Sequence, residues 1–485
     1  MKYFLALFSL VMVATFSGCS GVKQTAHSKD ATAHPIPKNI IFIIGDGMGF
    51  NHVLAANYFQ HGASGMQPYE QEDWTRLASS TYPAIVSRRD GAIIFADGYS
   101  PQRAWTDSSY VARNYTDSGA GGTALATGRK TYNNSIAIGV QGDTLLQVTR
   151  VAEELGKSTG IVTTVHIAHA TPAAFGAHNL HRNNFADIAR YMLFNTRLDV
   201  LMGAGNPDFD DNGLAAASND QFIGGRQLWQ QISANNGVTE FTVDGKLLKT
   251  LDSDGDAVPD PWTVIQSRQE FQNLATGRTP ARVLGIAKAN NTLQDGRTKP
   301  AEEALPFQTP LNTNVPSLKE MTLAALNVLN QNPKGFFVMI EGGAIDWASH
   351  DNDLVRIIEA QIDLNQTVEA AIQWVETHSS WDETLIIVTS DHETGHLTGP
   401  DHPQRVNSPV ISQGKGKLPL YRFNSGDHTN SLVPFYAKGA GQELFRIAAG
   451  GFDPVKGAFL QNVQIPQAIF LLWGKPQVQQ HRQTR

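Results

Sequence analysis

The most regular pattern in the chain is a series of short apolar runs separated by stretches with helical periodicity. The first run, residues 39–44, is almost wholly β-branched or aromatic, which is typical of a strand buried on both faces. Further runs lie at residues 160–165, 200–202, 335–340 and 385–389. Helical patterns lie between them, at residues 145–155, 318–329 and 354–375. This alternation predicts an α/β fold, with a large, mainly parallel central β-sheet and helices on both faces.

Acidic residues and a histidine follow several of these predicted strands. Asp46 and Glu341 come directly after two of the apolar runs, and Asp391 with His392 follows a third. In open parallel sheets, ligands gather at the carboxyl ends of the strands. We therefore expect these side chains to converge on one edge of the sheet. Unpaired acidic side chains are costly to bury there, which favours a metal site.

Residues 203–315 differ from the rest in being rich in Asn, Asp, Gly, Gln and Pro, with weaker periodicity. We interpret them as an inserted region of a catalytic domain that spans residues 39–475. Alternating carboxylates inside this region resemble the start of a calcium loop, with candidate Ca²⁺ ligands at Asp252, Asp254, Asp256 and Asp260. Thr263 stands where a complete loop of that kind would end in glutamate. A solvated acidic turn is the alternative interpretation.

The N-terminus has the pattern of a targeting segment. Lys2 precedes a short apolar stretch, and the sequence Phe-Ser-Gly-Cys at residues 16–19 resembles a bacterial lipoprotein box. It predicts a signal peptide over residues 1–19, a lipid anchor at Cys19 and a flexible tether over residues 20–38. The protein would then be exported, as a periplasmic or outer-membrane-anchored lipoprotein. A plain secretory signal, with secretion or release into the periplasm, is the alternative.

Composition narrows the choice of partners. The formal net charge is −7, and no long basic run is present, which argues against nucleic acid as a specific partner. Cys19 is the only cysteine, so the mature chain forms no internal disulfide.

A small-residue stretch at residues 116–128 holds the candidate nucleophile. In this stretch Ser118 stands between Asp117 and a glycine-rich segment that favours a turn followed by a helix. Free N–H groups and the dipole at a helix N-terminus favour negative charge. Ser118 is therefore placed either to bind an anion or to become one.

A second chemical signal is a carboxylate and an imidazole four residues apart. If the segment is helical, Asp346 and His350 lie on the same face. Such a pair is a natural part of a zinc site, and one more imidazole nearly completes a catalytic site with an open position.

Five motifs together resemble those of the alkaline phosphatase family. They are GDGMG at 45–49, TDSGAGGTALATG at 116–128, EGGAIDWASH at 341–350, SDHETG at 390–395 and GDHT at 426–429. The resemblance extends over residues 39–182 and 317–436, in the family's order and with roughly its spacing. It implies metal-dependent hydrolysis of phosphate monoesters through a phosphoserine intermediate, with broad specificity.

The resemblance also implies roles for individual residues. Ser118 would be the nucleophile, and Arg182, oriented by Asp117, would bind the phosphate. The implied metal ions are two Zn²⁺ and one Mg²⁺. Their ligands would be Asp346, His350 and His428 for the first zinc, Asp46, Asp391 and His392 for the second, and Asp46, Thr171 and Glu341 for magnesium. His169 and Trp347 stand at two positions beside the metals where some relatives have Asp and Lys. His396 and His402 have no assigned role.

Three alternatives compete with this interpretation. A sulfatase of the same superfamily needs a different sequence after the nucleophile, and Ser118 is followed by Gly-Ala-Gly-Gly. Diesterases usually lack the third metal site and the arginine. A non-catalytic metal- or phosphate-binding protein would not need Ser118. The resemblance also implies a homodimer, but the crown-like region between His392 and His428 is short, which leaves the oligomeric state open.

Overall fold

The apolar runs form the middle of one large sheet. The computed structural model describes residues 35–84, 86–89, 92–95, 98–234, 237–300 and 304–475. The strands are β1 Asn39–Gly45, β2 Thr75–Ser80, β3 Val86–Arg89, β4 Ala92–Phe95, β5 Ser158–His166, β6 Val200–Ala204, β7 Glu240–Val243, β8 Lys246–Lys249, β9 Thr263–Ile265, β10 Val283–Ile286, β11 Phe336–Gly342, β12 Thr384–Thr389, β13 Glu393–Thr394, β14 Leu397–Thr398, β15 Arg422–Phe423, β16 His428–Thr429, β17 Val433–Gly439, β18 Gly451–Asp453 and β19 Gly457–Gln461.

The helices lie between these strands along most of the chain. They are α1 Phe50–His61, α2 Pro101–Thr106, α3 Ser118–Thr127, α4 Val148–Glu154, α5 Ala170–Gly176, α6 Phe185–Phe194, α7 Arg226–Ala234, α8 Arg268–Thr276, α9 Leu318–Leu329, α10 Ala344–His350, α11 Leu354–His378, α12 Glu443–Ala448 and α13 Gln464–Leu472. Short 3₁₀ helices occur at Pro68–Glu70 and Gln221–Ile223.

The central sheet is mainly parallel, as predicted. Within the described residues it has eleven strands in the order β18-β19-β2-β17-β12-β1-β11-β5-β6-β10-β9. Strand β1 lies in the middle, parallel to β11 on one side and to β12 on the other. Antiparallel pairing occurs where β17 and β18 join the sheet. The α/β fold class is therefore confirmed.

The continuous apolar character of the strands reflects burial on both faces. In β1, Ile40 and Phe42 pack into one core with residues of α3, α4, α5 and α13. Ile41 and Ile43 point the other way, into a core formed with α9 and α11. Because side chains alternate between the two faces of a sheet, a strand covered on both faces needs apolar residues at every position.

One predicted helix is shorter than its sequence pattern indicates. The periodicity suggests residues 145–155, but α4 begins at Val148. The Leu145 N–H donates to the Ala137 carbonyl instead, and the Gln147 side chain donates to the Ala174 and Ala177 carbonyls. Tertiary hydrogen bonds thus hold the first three residues outside the helix.

Residues 203–315 extend the sheet as well as carrying loops. They contribute β9 and β10, which continue the parallel sheet beyond β6, and a separate hairpin formed by β7 and β8. Between His392 and His428 lie two small two-stranded sheets, β13–β16 and β14–β15, which include residue 428 itself.

The predicted signal peptide, Cys19 and residues 20–34 of the predicted tether lie outside the described residues. None of the helices in the described part of the chain is long and apolar enough to span a membrane.

Candidate metal centre and active site

The carboxyl ends of three central strands meet at the candidate site. Asp46 follows β1, Glu341 lies near the end of β11, and Asp391 follows β12. The parallel register places Ile44 opposite both Glu341 and Thr389, so the three strands end at the same level. The convergence expected from the sequence is therefore present.

Ser118 begins the helix α3 and points into this group. Its N-terminal cap is Asp117, whose Oδ1 accepts a hydrogen bond from the Ala120 N–H at 2.9 Å. The Ser118 side chain is buried, and its Oγ lies 3.2 Å from His392 Nε2. The N-terminus of α3 therefore faces the space around Ser118 and His392, where negative charge is favoured.

The three ligands expected for the first zinc lie together. The Nε2 atoms of His350 and His428 are each 3.5 Å from Asp346 Oδ1, and they are 3.1 Å from each other. Asp346 and His350 lie on α10, as their spacing predicts, and His428 comes from β16. Asp427, beside His428, also brings a carboxylate oxygen within 4.8 Å of these imidazole nitrogens. Its Oδ2 accepts a hydrogen bond from the Tyr115 hydroxyl at 2.8 Å.

The three residues expected for the second zinc form an adjoining group. His392 Nε2 is 3.3 Å from Asp391 Oδ2 and 3.6 Å from Asp46 Oδ1. All three side chains are fully buried. The two groups are continuous, because Asp346, His392 and His428 also bring ligand atoms within 4.8 Å of one another.

Hydrogen bonds to Nδ1 orient every one of these three histidines. The Nδ1 atom of His350 lies 2.8 Å from the Gly426 carbonyl oxygen, and that of His428 lies 2.9 Å from the Thr116 carbonyl oxygen. A carbonyl oxygen accepts only, so each Nδ1 carries a proton, and in the neutral ring Nε2 keeps the lone pair that a metal ligand needs. His392 Nδ1 faces a hydroxyl instead. Such contacts fix the tautomer that a metal ligand needs.

The oxygen group expected for magnesium is built around Asp46. Thr171 Oγ1 lies 3.5 Å from Asp46 Oδ2, and Glu341 is fully buried beside it. The Thr163 hydroxyl donates to Glu341 Oε2, a contact that sequence reasoning did not find. Thr163 lies on β5, next to β11 in the sheet, so only strand order could have revealed it.

His169 lies closer to this third group than the sequence analysis placed it. Its Nδ1 is 3.9 Å from Asp46 Oδ2, and it forms a candidate cation group with Asp46 and Glu341. Its Nε2 is 3.2 Å from Arg182 Nη2, which can only donate, so Nε2 accepts and Nδ1 carries the proton. Nδ1 faces Asp46 but has no hydrogen-bond partner among the described residues.

The donor set fits divalent cations. Buried oxygens of three carboxylates, Asp46 Oδ1, Asp391 Oδ2 and Glu341 Oε1, have no hydrogen-bond partner among the described residues. Burial, together with the nearby carboxylates, raises the pKa of Asp46 well above its usual range. Burial raises the pKa of Glu341 to about 8 and that of Asp391 to about 6. So many buried acids are costly unless cations neutralise them.

Asp346 behaves differently from the other acids. Burial opposes its ionisation, but the hydrogen bond from His428 and the charges of the neighbouring histidines hold its pKa well below the usual range. Burial and the nearby His428 lower the pKa of His392. These shifts favour an ionised Asp346 beside a neutral His392. Burial opposes protonation of His428, but its hydrogen bond to Asp346 raises its pKa, so His428 must give up a proton when a metal binds.

Arg182 is held at the edge of the site by an ion pair. Its Nη1 donates to Asp117 Oδ2 at 3.0 Å, and that same oxygen accepts from the Asn134 N–H at 2.9 Å. Both side chains are partly exposed. The guanidinium is thus held beside the N-terminal cap of α3.

The site opens through a cavity of about 310 Å³. Its walls are formed by His169, Arg182, Asp295, Asp346, Trp347, His350 and Asp351. Trp347 is half-buried, and its ring centroid lies 5.8 Å from that of His169. Asp295 lies within the inserted region and was not found by sequence reasoning; burial raises its pKa to about 7.

The acidic loop forms a separate, smaller cluster. Asp252, Asp254 and Asp260 bring carboxylate oxygens within 4.8 Å of one another, and Asp256 is not part of this group. The loop's own N–H groups already donate to Asp252 and Asp260. Calcium binding there stays a prediction.

The two unassigned histidines lie outside the metal groups. His396 Nε2 is 2.7 Å from Asn407 Oδ1, and its ring packs at 5.0 Å from that of His402. Both are buried side chains with hydrogen-bond partners, and neither belongs to a candidate metal group of the described residues.

Comparison with known proteins identifies the family. The family model described as alkaline phosphatase matches residues 37–449, most of the chain. The chain belongs to the alkaline phosphatase family. It is similar to alkaline phosphatase 4 of Bacillus subtilis (strain 168), with 31% identity over 475 residues, covering 95% of this chain and 85% of that protein. It is also 27% identical over 440 residues to the alkaline phosphatase of Escherichia coli (strain K12), covering 86% and 84% of the two chains.

Solved structures of alkaline phosphatases share the fold. The cold-active enzyme from Shewanella sp. is 25% identical, with a TM-score of 0.58, covering 90% of this chain and 99% of that one. The enzyme from the Antarctic bacterium TAB5 is 24% identical, with a TM-score of 0.59, covering 91% and 99%. The chain is thus an enzyme of a metal-dependent family that hydrolyses phosphate monoesters.

Proposed function

We propose that this alkaline phosphatase acts through a phosphoserine formed at Ser118, with two Zn²⁺ and one Mg²⁺ per chain. The observation that carries the proposal is the position of the Ser118 hydroxyl. It lies at the N-terminus of α3, 3.2 Å from a nitrogen of His392. A binding protein without catalytic activity has no need for a hydroxyl at this point.

The proposed ligand sets follow the three groups described above. The first zinc would be held by Asp346, His350 and His428, the second by Asp46, Asp391 and His392, and the magnesium by Asp46, Thr171 and Glu341. Mixed nitrogen and oxygen ligands suit zinc, and oxygen ligands alone suit magnesium. When bound, these ions supply positive charge to the phosphoryl oxygens and favour ionisation of oxygen nucleophiles.

In the proposed reaction, Arg182 binds two phosphate oxygens and holds the phosphorus in line with Ser118 Oγ. The Oγ–P bond forms, the bond from phosphorus to the substrate alcohol oxygen breaks, and the alcohol leaves with a proton. Water then attacks the phosphoserine from the opposite side, releasing inorganic phosphate and restoring Ser118. Positioning and charge stabilisation supply most of the rate enhancement.

Broad specificity is expected from the shape of the opening. The leaving alcohol would lie in the cavity beside Trp347 and His350, and His350 is about one-third exposed. The phosphate group, which Arg182 and the metal ions would bind, then supplies most of the recognition.

Ser118→Ala tests the proposal directly. We expect it to lose at least ~10³-fold in kcat for an aryl phosphate monoester, with unchanged metal content, because only the nucleophile is removed. Acid-quenched wild-type protein should carry one phosphoryl group on the peptide containing Ser118. Near-normal turnover in Ser118→Ala with metals bound would contradict the proposal.

We also propose that the chain is exported and anchored through a lipid at Cys19, as its lipoprotein-type sequence indicates. The mature protein from membranes should begin with an acylated Cys19, as measured by mass spectrometry. Cys19→Ser should be released from the membrane fraction with full activity. An unmodified N-terminus at another residue would support the plain secretory signal instead.

A further inference from the structure

The hydroxyl of Thr394 lies between residues from two different candidate metal groups. Its Oγ1 is 2.5 Å from Asp346 Oδ1, a proposed ligand of the first zinc. It is also 3.2 Å from His392 Nδ1, whose ring belongs to the second group. The side chain is fully buried, so no water competes for these contacts. We propose that Thr394 is a positioning residue that couples the two zinc sites by fixing one ligand of each.

The direction of the two hydrogen bonds follows from the donors available. An ionised Asp346 can only accept, so it takes the single proton of the Thr394 hydroxyl. The hydroxyl oxygen then accepts from His392, which requires the proton on Nδ1. This leaves the His392 Nε2 lone pair directed towards Asp46 and Asp391. One hydroxyl thus selects the tautomer of one ligand and orients the carboxylate of another.

The backbone of Thr394 is anchored to the same groups. Its N–H donates to the Gly47 carbonyl at 3.1 Å, one residue after Asp46. In the β13–β16 pair it lies directly opposite His428. Gly47 has φ of +71°, and a Cβ there would lie 2.8 Å from Thr394 Oγ1, so only glycine leaves room for the hydroxyl. The position of Oγ1 is therefore fixed by elements that carry ligands of both sites.

Loss of the hydroxyl should weaken both sites together. Without it, the buried Nδ1–H of His392 has no acceptor, and Asp346 loses its shortest hydrogen bond. To give this Nδ1–H a new acceptor, the His392 ring would have to rotate. The alternative is that the proton moves from Nδ1 to Nε2, which removes the lone pair that binds the metal. Outer contacts of this kind typically change metal affinity by about 10- to 100-fold. This inference rests on the proposed zinc sites.

The test compares zinc retention in three variants. Thr394→Val keeps the shape and removes the hydroxyl, and Thr394→Ser keeps the hydroxyl. Thr398→Val is the matched control. Thr398 is a buried threonine on β14, and its hydroxyl partners among the described residues are Gly399, Asn424 and Arg422, none of them a proposed metal ligand. Each zinc-loaded protein is equilibrated with a graded series of a zinc chelator, and bound zinc per chain is measured by elemental analysis.

We expect wild type, Thr394→Ser and Thr398→Val to release zinc at similar chelator concentrations. Thr394→Val should release both ions at a concentration about 10-fold lower. Release equal to the control, or early loss of one ion alone, would overturn the coupling role. A wild-type chain that holds no zinc would overturn the proposed sites and this inference together. If Thr394→Val does not fold, Thr394→Ala replaces it, and the same comparison with Thr394→Ser decides.

Discussion

Asp117 binds Arg182 with one carboxylate oxygen and caps the helix of Ser118 with the other. Oδ2 accepts from Arg182 Nη1 at 3.0 Å, and Oδ1 accepts from the Ala120 N–H at 2.9 Å. The proposed phosphate-binding side chain and the proposed nucleophile are therefore positioned by a single residue. Any change in its charge should affect phosphate binding without removing the helix cap.

Asp117→Asn should weaken phosphate binding. The amide oxygen can still cap α3, but the ionic contact that orients Arg182 is lost. We expect the inhibition constant for inorganic phosphate to rise by about 3- to 10-fold, equivalent to about 1 kcal/mol. The measurement is product inhibition of monoester hydrolysis at full metal occupancy. An unchanged constant would show that Arg182 needs no help from Asp117, and Arg182→Ala sets the scale of complete loss.

Trp347→Lys should bind phosphate more tightly than wild type. Trp347 lines the opening beside His169 and offers no charge, whereas an ammonium there could reach the phosphate. We expect lower phosphate inhibition constants and lower KM, with slower kcat where product release limits turnover. The difference should shrink at strongly alkaline pH, as the lysine loses its proton.

The control for Trp347 is Trp347→Phe, which keeps an aromatic ring and adds no charge. If the ring only packs beside Asp346, Trp347→Lys should lose zinc, Trp347→Phe should largely keep it, and phosphate inhibition should not tighten in either variant. Equal inhibition constants in wild type and Trp347→Lys at full zinc occupancy would contradict the electrostatic explanation.

Asp46→Asn should have opposite effects with and without metals. Asp46 is fully buried, Oδ1 has no described partner, and burial beside other acids raises its pKa. In chelator, removing this charge should stabilise the fold by about 1–3 kcal/mol. With zinc and magnesium, wild type should be the more stable, because binding to the folded state alone adds stability.

The measurement is thermal unfolding in chelator and in excess metal, near pH 8. Asp382→Asn is the control, since Asp382 is exposed just before β12, at the opposite end of that strand. It should shift neither midpoint. If Asp46→Asn were less stable than wild type in chelator as well as in excess metal, the Asp46 carboxylate would stabilise the fold through a protein contact rather than through a bound metal.

Asp199 provides a pH-dependent prediction away from the metals. Burial raises its pKa from 3.8 to about 7, and the charge of Glu153 adds to this rise. Two contacts oppose the rise: the Thr159 N–H, which donates to Asp199 at 2.7 Å, and the nearby charge of Arg282. A raised folded-state pKa means that the stability contribution is fully present below pH 3.8. It is lost as the pH rises through about 7.

Asp199→Asn removes this titration while keeping an acceptor for Thr159. The stability of the variant relative to wild type should therefore increase between pH 4 and pH 8, by no more than about 4 kcal/mol. Chemical unfolding across this range, with metals held saturating, gives the difference. A constant difference would show that Asp199 stays ionised in the folded protein throughout.

The sequence by itself determined five strands of the central sheet (β1, β5, β6, β11 and β12), a helix starting near Ser118 and the identity of most groups at the site. Apolar runs that end in acids are local signals, since burial on both faces excludes polar residues until the strand reaches its end. The Asp346–His350 spacing is likewise local, because four residues make about one helical turn. Family resemblance added the grouping of these residues, which their separation along the chain does not reveal.

Tertiary structure alone decided the contacts that orient these groups. Thr163 and Glu341 are 178 residues apart on neighbouring strands, and His350 meets the Gly426 carbonyl 76 residues away. Periodicity indicates which face of an element is buried, but it does not encode strand order, register or which polar side chain meets which. The same reason explains why α4 is shorter than predicted: hydrogen bonds to other segments replace its first predicted turn. It also explains why the sequence did not single out Thr394, whose role appears only when the fold brings Asp346 and His392 to its hydroxyl.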